Sequence, residues 1–144
     1  MILIFFTIIV PLIAGGLVYI GWRPDTLLMF PWFEFLGIKS EIYYIREFLS
    51  QFHLPEWVVF WLPNGTWTFA FTAALSFIWL DLENHRKFFW ILIPLSLGIT
   101  MEIGQFLNIL PGTFCFGDIL AHSFGAVTAL LLINFIFYKE VKEN

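Results

Sequence analysis

Between Met101 and Val127 four polar side chains interrupt two otherwise apolar segments: Glu102 and Gln105, three residues apart, and Asp118 and His122, four apart. On helices each pair shares a face. Pro111 and Gly112 turn the chain between them. Two helices folded back on each other would therefore form a ladder, with Gln105 opposite Asp118 and Glu102 opposite His122. Such a set supports several chemistries. It could ligate a divalent metal, but the HExxH pattern is absent, and neither a metal nor a cofactor is expected. It could relay protons, although no chain of acids continues past it. Glu102 or His122 could serve as general base of an intramembrane hydrolase, but no nucleophile partner is identifiable. Ser123 is next to His122, and adjacent helix positions point roughly 100° apart. No residue is therefore assigned a catalytic role. Finally, Glu102, Gln105, Asp118 and His122 could bind a lipid headgroup or a peptide stem. Against all of these stands simple hydrogen bonding that specifies how two helices pack.

The elements that hold these residues follow from composition. With 60% of residues hydrophobic and 12% charged, the chain has more apolar surface than a water-soluble domain of its size can bury, so a bilayer must solvate it. The expected architecture is all-α, a polytopic membrane helix bundle forming one domain over residues 1–144. About four transmembrane helices are predicted, near 2–20, 66–80, 88–107 and 118–138. Pro11 and Pro94 fall inside the first and third, and a kink is expected at Pro11. The second is expected to start after a turn at Pro63-Asn64-Gly65 and to run into the polar cluster Asp81, Glu83, Asn84, His85, Arg86 and Lys87. It carries Thr68, Thr72 and Ser76 at four-residue spacing. This hydroxyl stripe is expected to bond its own backbone in a packing interface rather than to line a polar cavity. In span 4, Ala121, Gly125 and Ala129 form a small-residue strip for close helix packing, with Gly98 and Gly104 available opposite.

Residues 23–62 are aromatic but broken by Pro24, Pro31, Gly37 and Pro55, too often for a crossing helix. They read as interfacial amphipathic helices between spans 1 and 2. Within them Ile42, Ile45, Phe48, Leu49 and Phe52 fall on one face, with Ser40 as the expected N-cap. Trp22, Trp57, Trp61 and Trp67 are placed at headgroup depth.

The first apolar stretch is longer than a signal-peptide core and reads as a retained span, although Ala14-Gly15-Gly16 resembles a cleavage site. Counting cations near span ends gives Arg86, Lys87, Lys139 and Lys142 on one side against Arg23, Lys39 and Arg46 on the other, which places both termini in the cytoplasm. The polar hairpin and the interfacial section then share the outer side, where the second can roof the first. A net charge of −4 without a basic run excludes nucleic acid as a partner. Membrane lipids are the expected partners, with a larger membrane complex or a homo-oligomer as alternatives. Cys115 is the lone cysteine, so no internal disulfide forms.

Glu102-x-x-Gln105, a short proline-containing connection, Asp118, a polar residue four positions on and Gly125 at seven together resemble the VanZ-like family of small bacterial integral membrane proteins. The match lies mainly over residues 101–126. His122 stands where members carry Asn, Gly112 where an arginine is common, and Ala129 in place of a later glycine. The Asp and His pattern of the family's first two spans is missing. The resemblance implies a bacterial inner-membrane location and an envelope function, the founding member being linked to teicoplanin resistance. The function expected is binding of an envelope lipid or cell-wall precursor in an outward-facing polar pocket. The alternatives are an accessory structural subunit of a larger complex and an intramembrane hydrolase.

Overall fold

A computed structural model describes residues 5–27, 29–79 and 86–143, all helices and connections with no strand among them. The predicted start of span 1 at residues 2–4 and the cluster residues Asp81, Glu83, Asn84 and His85 lie outside the described residues, as do the side chains of Arg86, Lys139 and Lys142.

Proline decides where several helices begin. A π-helical stretch, Phe5–Ile9, runs into α1, Val10–Trp22, with Pro11 in the first α-helical turn. The wider hydrogen-bond register ahead of Pro11 accommodates a residue with no N–H to give. Three short helices follow: α2, Met29–Phe35; α3, Lys39–Leu49; and α4, Glu56–Phe60. Next comes α5, Leu62–Ile78, joined to α4 through Trp61 at φ −99° and ψ −38°. The expected turn at Pro63-Asn64-Gly65 is not formed. These residues make the first turn of α5, where proline's missing donor is harmless and Gly65 N–H bonds the Trp61 carbonyl at 3.1 Å. Pro94 acts likewise. The predicted span 3 is divided into α6, Arg86–Ile91, and α7, Ile93–Phe106, with Pro94 in the first turn of α7. The chain ends in α8, Phe116–Glu143.

Helix α5 is the centre of the bundle. It packs most extensively on α8 and also on α1, the π-helical stretch, α7, α4 and α6. The small-residue strip of α8 therefore faces α5, not α7. A Cβ on Gly125 would strike the Gly65 carbonyl oxygen, and one on Gly65 would stand 3.2 Å from the Ala121 carbonyl. Ala129 is buried in one cluster with Ala73 and Ile133. Gly98 and Gly104, expected opposite the strip, instead receive His122 and Leu110.

Burial runs opposite to that of a water-soluble domain. The largest wholly buried side chains are Thr72 and Pro63, whereas Phe35 is 90% exposed and Phe124 73%. Two helical stretches, Phe5–Trp22 and Phe116–Ile136, are long and apolar enough to cross a membrane.

Helices α1 and α3 are tied by polar contacts. The Arg46 guanidinium donates to the carbonyls of Ile20 at 2.8 Å and Arg23 at 2.7 Å, satisfying the C-terminal end of α1 with a cation. Trp22 donates its indole N–H to the Phe52 carbonyl at 2.9 Å. Ile42 is the buried residue of α3, while Ile45, Phe48 and Phe52 are exposed. Ser40 is not the N-cap. That position belongs to Ile38, and the Ser40 hydroxyl donates to the Glu41 carboxylate at 2.9 Å.

Candidate functional site

Glu102 and Gln105 lie on α7, and Asp118 and His122 on the first two turns of α8. The connection between them is built by specific backbone groups. Asn108 adopts φ 57°, and the Ile109 and Asn108 N–H groups bond the carbonyls of Gly104 at 2.9 Å and Gln105 at 3.0 Å. This left-handed Schellman closure ends α7, a place where asparagine is tolerated. Gly112 adopts φ 128°, and a Cβ there would stand 2.7 Å from the Gln105 amide. An arginine at this position would be strained in backbone and blocked in space.

Neither rung expected from spacing is a hydrogen-bonded pair, although Glu102 is an electrostatic neighbour of His122. Among the described residues no hydrogen bond joins Gln105 to Asp118 or Glu102 to His122. The buried Glu102 accepts the Cys115 backbone N–H through Oε2 at 3.0 Å, so its carboxylate closes the connection onto α7. Gln105 packs on Gly112. The His122 ring lies over Gly98, one turn below Glu102, and its Nδ1 shares a hydrogen bond of 2.6 Å with the Thr68 hydroxyl. Nε2 is the ring's remaining hydrogen-bonding atom. Asp118 has Glu102 and Arg23 as charged neighbours and the Asn64 side chain as a hydrogen-bonding one. The reason is the central position of α5: the inward face of α8 meets Thr68 and Asn64 of that helix before it meets α7.

The hydroxyl stripe is thus split. Ser76 bonds the Thr72 carbonyl of its own helix at 2.7 Å, as expected, but Thr68 turns to His122, and Thr72 Oγ1 is buried without a partner.

Although they do not pair as rungs, Glu102, Gln105, Asp118 and His122 all line one cavity of about 830 Å³. This is within the range of about 300–1,000 Å³ usual for small-molecule sites. The wall also includes Arg23, Asn64 and Glu56, together with Tyr19, Phe60, Trp57 and Trp61. Arg23 is the member that sequence reading missed as a site residue. It stands at the end of α1, where its position in the sequence marks only a cation beside an apolar span. Its guanidinium carbon lies 5.0 Å from the Tyr19 ring centroid and 4.8 Å from that of Phe60. One terminal nitrogen donates to the Tyr19 hydroxyl at 3.4 Å. Asn64 was missed because the Pro-Asn-Gly triplet reads as a turn. The signal that could have found it is the helix-compatible position of Pro63 directly after an apolar run.

Two buried atoms at this cavity lack hydrogen-bond partners: Arg23 Nε, a donor, and Asp118 Oδ1, an acceptor. Arg23 makes no ion pair among the described residues. Groups of opposite sense therefore share the cavity without satisfying each other. No three His, Cys, Asp or Glu side chains gather to hold a metal ion among the described residues.

Beside the polar cavity runs an apolar groove of about 760 Å³ lined by α1, α4, α5 and α8. Trp57 and Trp61 belong to both walls. Trp61 lies on Gly117, where a Cβ would collide with the indole. Ser123 lines the groove whereas His122 lines the polar cavity, so the two are directed to different spaces. Compared with family models, with curated proteins and with solved structures, the chain matches none.

Proposed function

We propose that this is a VanZ-like protein of the bacterial inner membrane that binds a membrane amphiphile, an envelope lipid or lipid-linked cell-wall precursor. The headgroup enters the polar cavity and the chain lies in the adjoining groove. The observation that carries this reading is the shared wall of Trp57 and Trp61, with ionisable and carboxamide groups on one side and apolar surface on the other. Tryptophan suits such a boundary because its ring is apolar and its N–H is polar.

Four crossings and two cytoplasmic termini belong to the same proposal. Helix α5 has 17 residues, about 25 Å of rise, and α6 with α7 laid end to end reach about 30 Å, so each approaches the hydrocarbon thickness. Large apolar side chains facing outward around small-residue seams support lipid as the surrounding solvent. The VanZ-like resemblance rests on Glu102, Gln105, Asp118 and Gly125. Arg23 supports the ligand reading by supplying a cation to the cavity that Gly112 does not.

The test is native mass spectrometry of protein extracted in mild detergent. One retained lipid per chain is expected in the unaltered protein, with marked loss in Trp61→Ala and Arg23→Gln. Protein that carries no lipid, and takes none up from added envelope extract, overturns the proposal.

A further inference from the structure

The two orphaned atoms at the cavity specify more than an amphiphile. Arg23 Nε is a buried donor attached to a fixed positive charge, and Asp118 Oδ1 is a buried acceptor with the Glu102 carboxylate as neighbour. A buried polar atom without a partner costs free energy that a ligand of matching sense recovers. A single charged group cannot serve both, because an anion has no donor for the carboxylate and an ammonium no acceptor for the arginine. An anion alone would satisfy Arg23 but would be set against Asp118 and Glu102, with Glu56 also on the wall. An amine alone would satisfy the carboxylates and be repelled by Arg23.

Resting on the amphiphile-binding reading, we propose that the cavity selects a zwitterionic headgroup, with a phosphate held by Arg23 and a primary ammonium held by Asp118 and Glu102, as in an aminophospholipid. Phosphate and ammonium separated by a short linker match an arginine and carboxylates that line one cavity without forming an ion pair with each other. A primary ammonium fits better than a quaternary one for two reasons. Asp118 Oδ1 needs an N–H donor, which a trimethylammonium lacks. In addition, the Tyr19 and Phe60 faces that could cage a quaternary cation already carry the Arg23 guanidinium. The lipid is favoured over a free phosphoamine because the apolar groove meets the cavity at Trp57 and Trp61 and accommodates a chain.

The experiment incorporates the full chain into nanodiscs of phosphatidylcholine doped with phosphatidylethanolamine or phosphatidylglycerol, and measures the lipid retained per chain. Preference for phosphatidylethanolamine over both other lipids by roughly tenfold is expected, the equivalent of one charge-assisted hydrogen bond. Asp118→Asn should abolish the preference over phosphatidylglycerol while leaving some lipid bound, and Arg23→Gln should reduce retention of both phospholipids. Thermal unfolding of each variant identifies any that fail to fold. If Asp118→Asn does, Glu102→Gln replaces it in the comparison. Equal or greater retention of phosphatidylglycerol, or a preference unchanged by the carboxylate variants, overturns the zwitterion assignment while leaving lipid binding intact. Absence of any retained lipid overturns both. Soluble phosphoethanolamine that displaces the lipid when equimolar with it assigns the site to a free ligand and overturns the lipid source.

Discussion

At the scale of single residues, much of the site depends on what glycine leaves room for. The His122 ring occupies space that a side chain on Gly98 would fill, 2.7 Å from a Cβ there. Gly98→Ala is therefore expected to destabilise by about 1–3 kcal/mol, the usual cost of overpacking. It should also break the bond between His122 and Thr68. Because the clash is with one ring, Gly98→Ala combined with His122→Ala should recover most of the loss in thermal unfolding. Additive losses would count against this packing. Glu102 belongs to the same scale. The residue is 4% exposed and its carboxylate accepts the Cys115 N–H, so Glu102→Ala should cost roughly 1–3 kcal/mol, and Glu102→Gln, which keeps an acceptor, clearly less. Equal losses from the two substitutions would show that the hydrogen bond is not what holds the connection. Helical spacing puts Glu102 with Gln105, and Asp118 with His122, on a common face, and all four line one cavity. It could not identify their partners, because Thr68 and Cys115 come to His122 and Glu102 from other parts of the chain.

Among the elements, α5 determines how the others sit. Its contact with α8 is a seam of small groups, Gly65 and Ala73 against Ala121, Gly125 and Ala129, with backbone nearly touching backbone. Association of this kind depends on close van der Waals approach rather than on burying large side chains. Gly125→Val should force the helices apart and cost about 3 kcal/mol or more, because the obstacle is the rigid Gly65 carbonyl rather than a movable side chain. Gly16→Ala is the contrasting case. A Cβ there meets nothing within 4 Å, and the change should be neutral or stabilising by about 0.5–1 kcal/mol. Comparable losses at the two positions in detergent unfolding curves would contradict the seam. The same seam explains why the strip of α8 meets α5, while α7 touches α8 through His122 on Gly98. The small-residue strip was legible in the sequence, but not which helix it would meet.

For the whole molecule, orientation in the membrane is a property that labelling of a single thiol reads. If both termini are cytoplasmic, as proposed, the connection at residues 107–115 faces outward, and Cys115 is the chain's lone thiol. A membrane-impermeant maleimide should therefore label Cys115 in intact spheroplasts without permeabilisation. Labelling only after permeabilisation would reverse the topology. The result also bears on the ligand, because Cys115 lines the polar cavity and so reports which side of the membrane the headgroup enters from.

Composition and spacing determined the helical class, the interrupted aromatic section after the first helix and the residues Glu102, Gln105, Asp118 and His122, which do line one cavity. These are local properties: apolar content sets the solvent a chain requires, and a period of about 3.6 residues sets which side chains share a face. The tertiary structure decided the rest. It set α5 at the centre, turned Pro63-Asn64-Gly65 from a turn into a helix start, brought Thr68 to His122, and carried Arg23 into the cavity from the far end of α1. Apart from the proline-led start of α5, none of this has a local signature, because each depends on which of several small-residue faces packs against which. That choice is made by the sum of many weak contacts across the whole bundle.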